Sequence, residues 1–206
     1  MNLPRRELIV RAIETGALVL AAPLPLGALS RALADAARTA TPSAVLGPFY
    51  RRLAPRTLTL YRPGDPGMPL RVSGTVYSTR GNKLPGARIE IWQANGAGFY
   101  DTAGDRYRAT EHANTLGDYL LMTAMPGHYP GRVCQHVHYL VQAEGHKPLV
   151  TQLFFATDTV FEGDPNKNFT RDPLITSREL VRPVSVSGQP NAITASVVFD
   201  LVLETA

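Results

Sequence analysis

From Thr41 onward the chain repeats one pattern: short runs in which apolar and polar side chains alternate, each closed by Gly, Pro or Asn. Leu70–Tyr77, Ala87–Gln93, Asp118–Thr123, His136–Gln142 and Leu149–Phe155 all read this way. Period-two alternation sends successive side chains to opposite faces of a strand, so each run has one face to bury. Ile193–Leu203 adds a long β-branched run. With 17 Gly and 17 Pro marking turns, and little helical periodicity after residue 40, the pattern predicts an all-β fold. The expected architecture is an antiparallel β-sandwich of immunoglobulin or transthyretin type with long loops. Asp158–Pro173, rich in Asp, Asn and Pro, reads as one of those loops.

The first 36 residues read differently. Arg5 and Arg6 precede a mild apolar run, Ala17–Leu29, and Ala32–Ala34 or Ala34–Ala36 offers a small-x-small cleavage point. This layout predicts an export signal over residues 1–36, with Arg5-Arg6-Glu7-Leu8-Ile9 resembling a twin-arginine signal. The domain is then expected over 37–206, outside the cytoplasm. An amphipathic helix packed on the domain is the alternative. Pro23 and Pro25 interrupt the apolar run, which is too short to span a bilayer. The twin-arginine route carries folded proteins, so a cofactor can be loaded before export. One cysteine, Cys134, excludes an internal disulfide and a Cys-based zinc cluster.

Charge narrows the partners. Half of the net +4 sits in residues 1–38, where five Arg outnumber three acidic residues. The remainder has no strong basic field and no Lys/Arg cluster with interleaved aromatics, which argues against nucleic acid.

The sharpest local feature is His136-Val137-His138. On a strand, residues i and i+2 share a face, so two imidazoles can grip one metal ion. Alone, such a pair is more often a surface or hydrogen-bonded feature. Tyr129, in Pro126–Arg132, and Tyr100, closing Trp92–Tyr100, lie in Gly-rich turns. Their hydroxyls need partners, which makes them odd core fillers.

With those residues in view, the sequence resembles the intradiol ring-cleavage dioxygenases, the family of protocatechuate 3,4-dioxygenase and catechol 1,2-dioxygenase. The signature runs without a gap from Val72 to Tyr100, through Gly74, Val76, Gly81, Leu84, Ile89-Glu90-Ile91 and Gly98-Phe99-Tyr100. Trp92-Gln-Ala-Asn95 looks like the protocatechuate branch. Thr41–Tyr50, Gly117–Tyr119, Met125–Gly127 and Thr151–Phe154 also match in order. The resemblance covers about residues 41–203.

It implies a mononuclear, non-haem Fe(III) held by Tyr100, Tyr129, His136 and His138. Fe(III) is a hard ion that favours anionic oxygen, and coordination must pull the phenol pKa far below about 10. The implied reaction cleaves a catechol between its two hydroxylated carbons, with O2, to a cis,cis-muconate. The resemblance also implies that Tyr129 leaves the iron and accepts a substrate proton, that Gln152 orients the site, and that an Arg stabilises the activated substrate. Family members usually carry that Arg three residues before the first His. Here Val133 stands there, and Arg132, one residue earlier, is the candidate. His112, His128 and His146 have no assigned role, Cys134 reads as a small packed residue, and Trp92 as core.

Two rivals remain open on sequence. One is a non-catalytic transthyretin-like or carboxypeptidase-regulatory-like binding module, which shares the Ser73–Ala87 hairpin but does not need the Tyr/His set. The other is a dioxygenase fold without turnover, suggested by the shifted Arg132. The choice of catechol and association between copies are not decided by the residues.

Overall fold

The computed structural model describes residues 37–189 and 193–206. The expected export segment, residues 1–36, lies outside the described residues. Ten strands form two five-stranded sheets. The first holds β1 (Pro69–Ser78), β4 (Asp118–Ala124), β8 (Ser185–Ser187), β9 (Thr194–Val198) and β10 (Leu201–Leu203). The second is ordered β3 (Arg108–His112), β2 (Arg88–Gln93), β5 (His136–Gln142), β6 (Leu149–Phe155) and β7 (Val181–Arg182).

Five pairs run antiparallel: β1 with β4, β2 with β3, β2 with β5, β5 with β6, and β8 with β9. Three pairs run parallel: β1 with β9, β1 with β10, and β6 with β7. Each is joined by a long connection, as a parallel pair requires. The Ile193–Leu203 run lies along β1 in one register, Leu70 opposite Ala195 and Val76 opposite Leu201. It is interrupted where Phe199 N donates to the Ser73 carbonyl and Asp200 Oδ1 accepts from Thr75 N.

The core lies between the sheets. Leu70, Val72, Leu121, Val197 and Leu201 face Ile89, Ile91, Val137, Tyr139 and Leu153, all buried. Tyr139 of the second sheet packs 6.4 Å from Tyr119 and 5.4 Å from Phe199, ring to ring. Gly74 is required at this seam: a Cβ there would lie 2.1 Å from the Phe199 carbonyl oxygen.

The other face of the second sheet is also covered, which is unusual for a solvated antiparallel sheet. Residues 41–56 cross it diagonally. Ala44 N donates to Val150 O, Thr151 Oγ1 to Pro42 O, and Thr110 N to Pro55 O. The loop after β6 folds over the same region. It contains three 3-10 turns and the one-turn helix Pro165–Asn168, with Asp158 and Asp164 capping the first 3-10 turn and that helix.

Candidate active site

Cross-strand pairing sets His138 beside Trp92 and Gln152, and His136 beside Phe154. Alternation therefore puts both histidines on the covered outer face of the second sheet, while Val137 and Tyr139 point into the core. The two imidazoles are 4.8 Å apart between centroids and only 2% and 1% exposed. His136 Nδ1 donates to the Cys134 carbonyl at 2.8 Å, which leaves the Nε2 lone pair pointing away from the strand. Burial, assisted by the charge of Arg132, lowers the His136 pKa to about 4. Burial and the neighbouring His136 hold His138 well below the usual imidazole range. Both rings are therefore neutral at neutral pH, the form that coordinates a metal.

The two tyrosines arrive on separate loops pressed together at glycines. Asn95 Oδ1 accepts the N–H groups of Ala97 and Phe99, which turns the chain after β2 and delivers Tyr100. Gly98 has φ +84°, and a Cβ on it would lie 2.0 Å from the His128 carbonyl oxygen. A Cβ on Gly127 would meet Gly98 N at 2.5 Å. Only glycine allows this approach, and it brings Tyr100 and Tyr129 to 5.5 Å between rings. Their hydroxyls lie 3.5 and 3.3 Å from His136 Nε2. Burial, then the adjacent Tyr129, pushes the Tyr100 phenol well above its ordinary range. A cation among these oxygens would reverse that.

Behind this cluster lies a polar layer. Gln152 Nε2 donates to Val45 O at 2.7 Å and lies 3.1 Å from His138 Nδ1, while its Oε1 accepts from Arg132 Nη2 at 3.0 Å. Arg132 is nearly buried, and its Nε lies 3.5 Å from Asp172 Oδ2. Trp92 stacks on His138 at 5.0 Å and 8°, so it is both a packed residue and the platform of a site residue. A Cβ on Gly47 would approach His138 Cε1 to 3.0 Å, so the covering segment seats directly on that ring.

All six sequence-predicted site residues, Tyr100, Tyr129, Arg132, His136, His138 and Gln152, thus belong to one cluster. Sequence reasoning missed four supports. Arg108 donates to the Phe49 and Asp101 carbonyls, and Phe49 stacks on Tyr100 at 4.0 Å. Asp158 and Asp172 hold the loop preceding His136 through the N–H groups of Gln135 and Cys134. Arg108 lies in a run with no alternation, and the two Asp were legible only as part of a polar loop. His146 caps its own turn through the Glu144 carbonyl, and Cys134 is packed with its thiol pushed up to about 12 by burial. Among the described residues no three His, Cys, Asp or Glu converge as a metal site, so any metal centre here depends on the phenols. A cavity of about 670 Å³ lined by Arg56, Arg71, Glu111 and Tyr119 shares no residue with the cluster.

A two-sheet β fold carrying two strand histidines and two loop tyrosines on one covered face defines a class of mixed phenol–imidazole sites. The family model described as Dioxygenase matches residues 45–205, and the chain belongs to the intradiol ring-cleavage dioxygenase family. It is 34% identical over 148 residues to a hydroxyquinol 1,2-dioxygenase of Nocardioides simplex, covering 61% of this chain and 50% of that protein. It is 30% identical over 198 residues to a catechol 1,2-dioxygenase of Acinetobacter baylyi, covering 80% and 62%. The chain thus spans about half to three-fifths of these curated relatives. Among solved structures, the dioxygenase domain of a dioxygenase carbohydrate-binding protein fusion from Streptomyces sp. SirexAA-E superposes with a TM-score of 0.70. That comparison has 33% identity and covers 82% of this chain and all of the other. A catechol 1,2-dioxygenase from Acinetobacter sp. ADP1 gives a TM-score of 0.67 at 28% identity, covering 87% of this chain and 67% of the other.

Proposed function

We propose that the chain is a non-haem Fe(III) dioxygenase that cleaves catechol-type compounds between the two hydroxylated carbons, using O2, to cis,cis-muconate-type products. The observation that carries this reading is the convergence of the Tyr100 and Tyr129 hydroxyls on His136 Nε2 beside His138. Two phenols and two neutral imidazoles, with no carboxylate among them, suit a hard trivalent ion that can ionise the phenols. Tyr100, Tyr129, His136 and His138 would hold it. When bound, ferric iron supplies Lewis acidity that activates an attached diol toward O2.

The residues divide the remaining work. Tyr100 is clamped under Phe49 by face-to-face stacking, whereas Tyr129 meets Phe49 only by its edge at 6.2 Å. Tyr129 is therefore the phenol that can withdraw and take a proton from a substrate hydroxyl at its own oxygen. Arg132 presents a nearly buried cation beside the cluster, fixed by Gln152 and Asp172, where negative charge developing on the substrate is favoured. Gln152 steers His138. The covering segment 45–56 and the packed aromatics keep bulk water from the site.

The test is a visible spectrum of the protein loaded with ferric iron, then given catechol without air, then air. A reddish phenolate band that shifts with catechol and recovers in air is expected, and hydroxyquinol and protocatechuate run in parallel rank the substrates. A protein that stays colourless with ferric iron overturns the metal site and leaves a binding module. A shift that never recovers in air marks a fold without turnover.

The paired arginines Arg5 and Arg6 and the apolar run after them support export of the mature domain. Fractionation of cells expressing the full chain should find a shortened product outside the cytoplasm. A full-length cytoplasmic product removes this part of the reading.

A further inference from the structure

His128 has no role in the reading above, and its surroundings assign it one. Its ring Nε2 lies 2.9 and 3.1 Å from the two carboxylate oxygens of Asp158. The Asp158 side chain is 0% exposed and that of His128 44%. Asp158 also accepts the N–H of Gln135 at 2.7 Å and of Val160 at 3.0 Å. Gln135 in turn closes the loop by donating from Nε2 to the Pro126 carbonyl at 2.6 Å. One buried carboxylate therefore grips both flanks of the loop that carries Tyr129.

The second carboxylate acts on one flank only. Asp172 takes the Cys134 N–H and stands beside Arg132, with no contact before Tyr129. On the opposite side the loop has no slack, because the Gly98 backbone is packed against the His128 carbonyl. Movement of Tyr129 must then be governed at the His128 side chain, the one exposed and exchangeable member of the clamp.

We infer that His128 is a positioning residue: through Asp158 it holds the Tyr129 hydroxyl over His136 and sets how readily Tyr129 withdraws when a catechol arrives. This rests on reading Tyr129 as a displaceable ligand. The balance is mechanical and involves no bond made to substrate.

Two variants separate the idea from a packing effect. His128→Leu keeps apolar bulk but removes the N–H, and His128→Gln keeps a donor within reach of Asp158. The first readout needs no metal: hydrogen–deuterium exchange of the 126–135 segment in the full chain. Exchange there should rise about tenfold in the Leu variant and stay near the parent in the Gln variant, with the sheets unchanged. The second uses iron-loaded protein: the phenolate band should shift, and the rate of the catechol-induced spectral change should differ by roughly tenfold, again with Gln restoring it. Unchanged exchange in 126–135 overturns the clamp whatever the iron does. Raised exchange with an unmoved band and rate overturns the link to Tyr129. Absence of any phenolate band in the parent protein overturns the site reading itself, and is recognised before a variant is made.

Discussion

Among the described residues two pairs of tyrosines, one buried and one half-buried, are built for opposite ends. Tyr119 and Tyr139 lie between the sheets, 6.4 Å apart, with Tyr119 OH donating to the Phe199 carbonyl at 2.6 Å. Tyr100 and Tyr129 lie on the outer face of the second sheet, 5.5 Å apart, with long contacts to one imidazole nitrogen. Burial raises the phenols of Tyr100, Tyr119 and Tyr139 alike. A displaced phenol pKa therefore does not mark the site. What marks it is that Tyr100 and Tyr129 share their neighbourhood with two neutral imidazoles and a buried arginine, whereas among the described residues no imidazole lies beside the core pair and Tyr119 spends its hydroxyl on a backbone carbonyl.

Substitution separates the two pairs most clearly. Tyr100→Phe or His138→Ala should abolish phenolate colour and lower kcat/KM by more than the roughly hundredfold expected for a residue that only supports a ligand. Arg132→Lys and Gln152→Ala should fall lower on the scale, by about 10–100-fold with the colour kept, since neither is a donor in the proposed iron site. Arg132→Lys removes the planar fork that spans Gln152 and Asp172. Tyr139→Phe, one residue from His138 but on the other face, should leave kcat/KM within about twofold, because alternation separates it from the site. Steady-state assays and iron content on the same preparations check the series. A Tyr139→Phe loss matching that of Tyr100→Phe would erase the distinction between the two pairs.

The same two faces explain how much was legible in the sequence. β1 and β4 bury one face and alternation reveals them; β2, β5 and β6 are covered on both faces, but their core-facing side chains, such as Ile89, Ile91, Val137 and Tyr139, still recur at every second position. β3 was not foreseen: Arg108–His112 has Ala109 as its one apolar residue and is an edge strand held by Pro55 and by the Arg108 contacts. β7 and β8 are too short to show a period. At the site, His136 and His138 were legible because strand geometry fixes i and i+2 to one face. The tyrosines were legible through their glycine turns and the resemblance, since no periodicity points a loop side chain. Asp158 and Asp172 were not, because what aims them is the path of an irregular loop. For the same reason His128, set aside in the sequence, acquires a partner only in three dimensions.

A stability measurement separates the pairs further, because iron should reverse which of two variants is the less stable. In metal-free protein, Tyr119→Phe should destabilise by about 1–2 kcal/mol, since the buried Phe199 carbonyl loses its donor. Tyr100→Phe should be close to neutral, because its hydroxyl has only a 3.5 Å contact to lose and the ring keeps its stacking on Phe49. On the proposed iron reading, saturating ferric iron would bind the native state alone and should add roughly 3 kcal/mol at a hundred times its dissociation constant. Tyr119→Phe should gain that increment in full and Tyr100→Phe should gain little. Urea unfolding of both variants, with and without iron, reads the difference directly. If iron stabilised both equally, Tyr100 would be a packed aromatic like its counterpart between the sheets, and the two pairs would differ only in where they are packed.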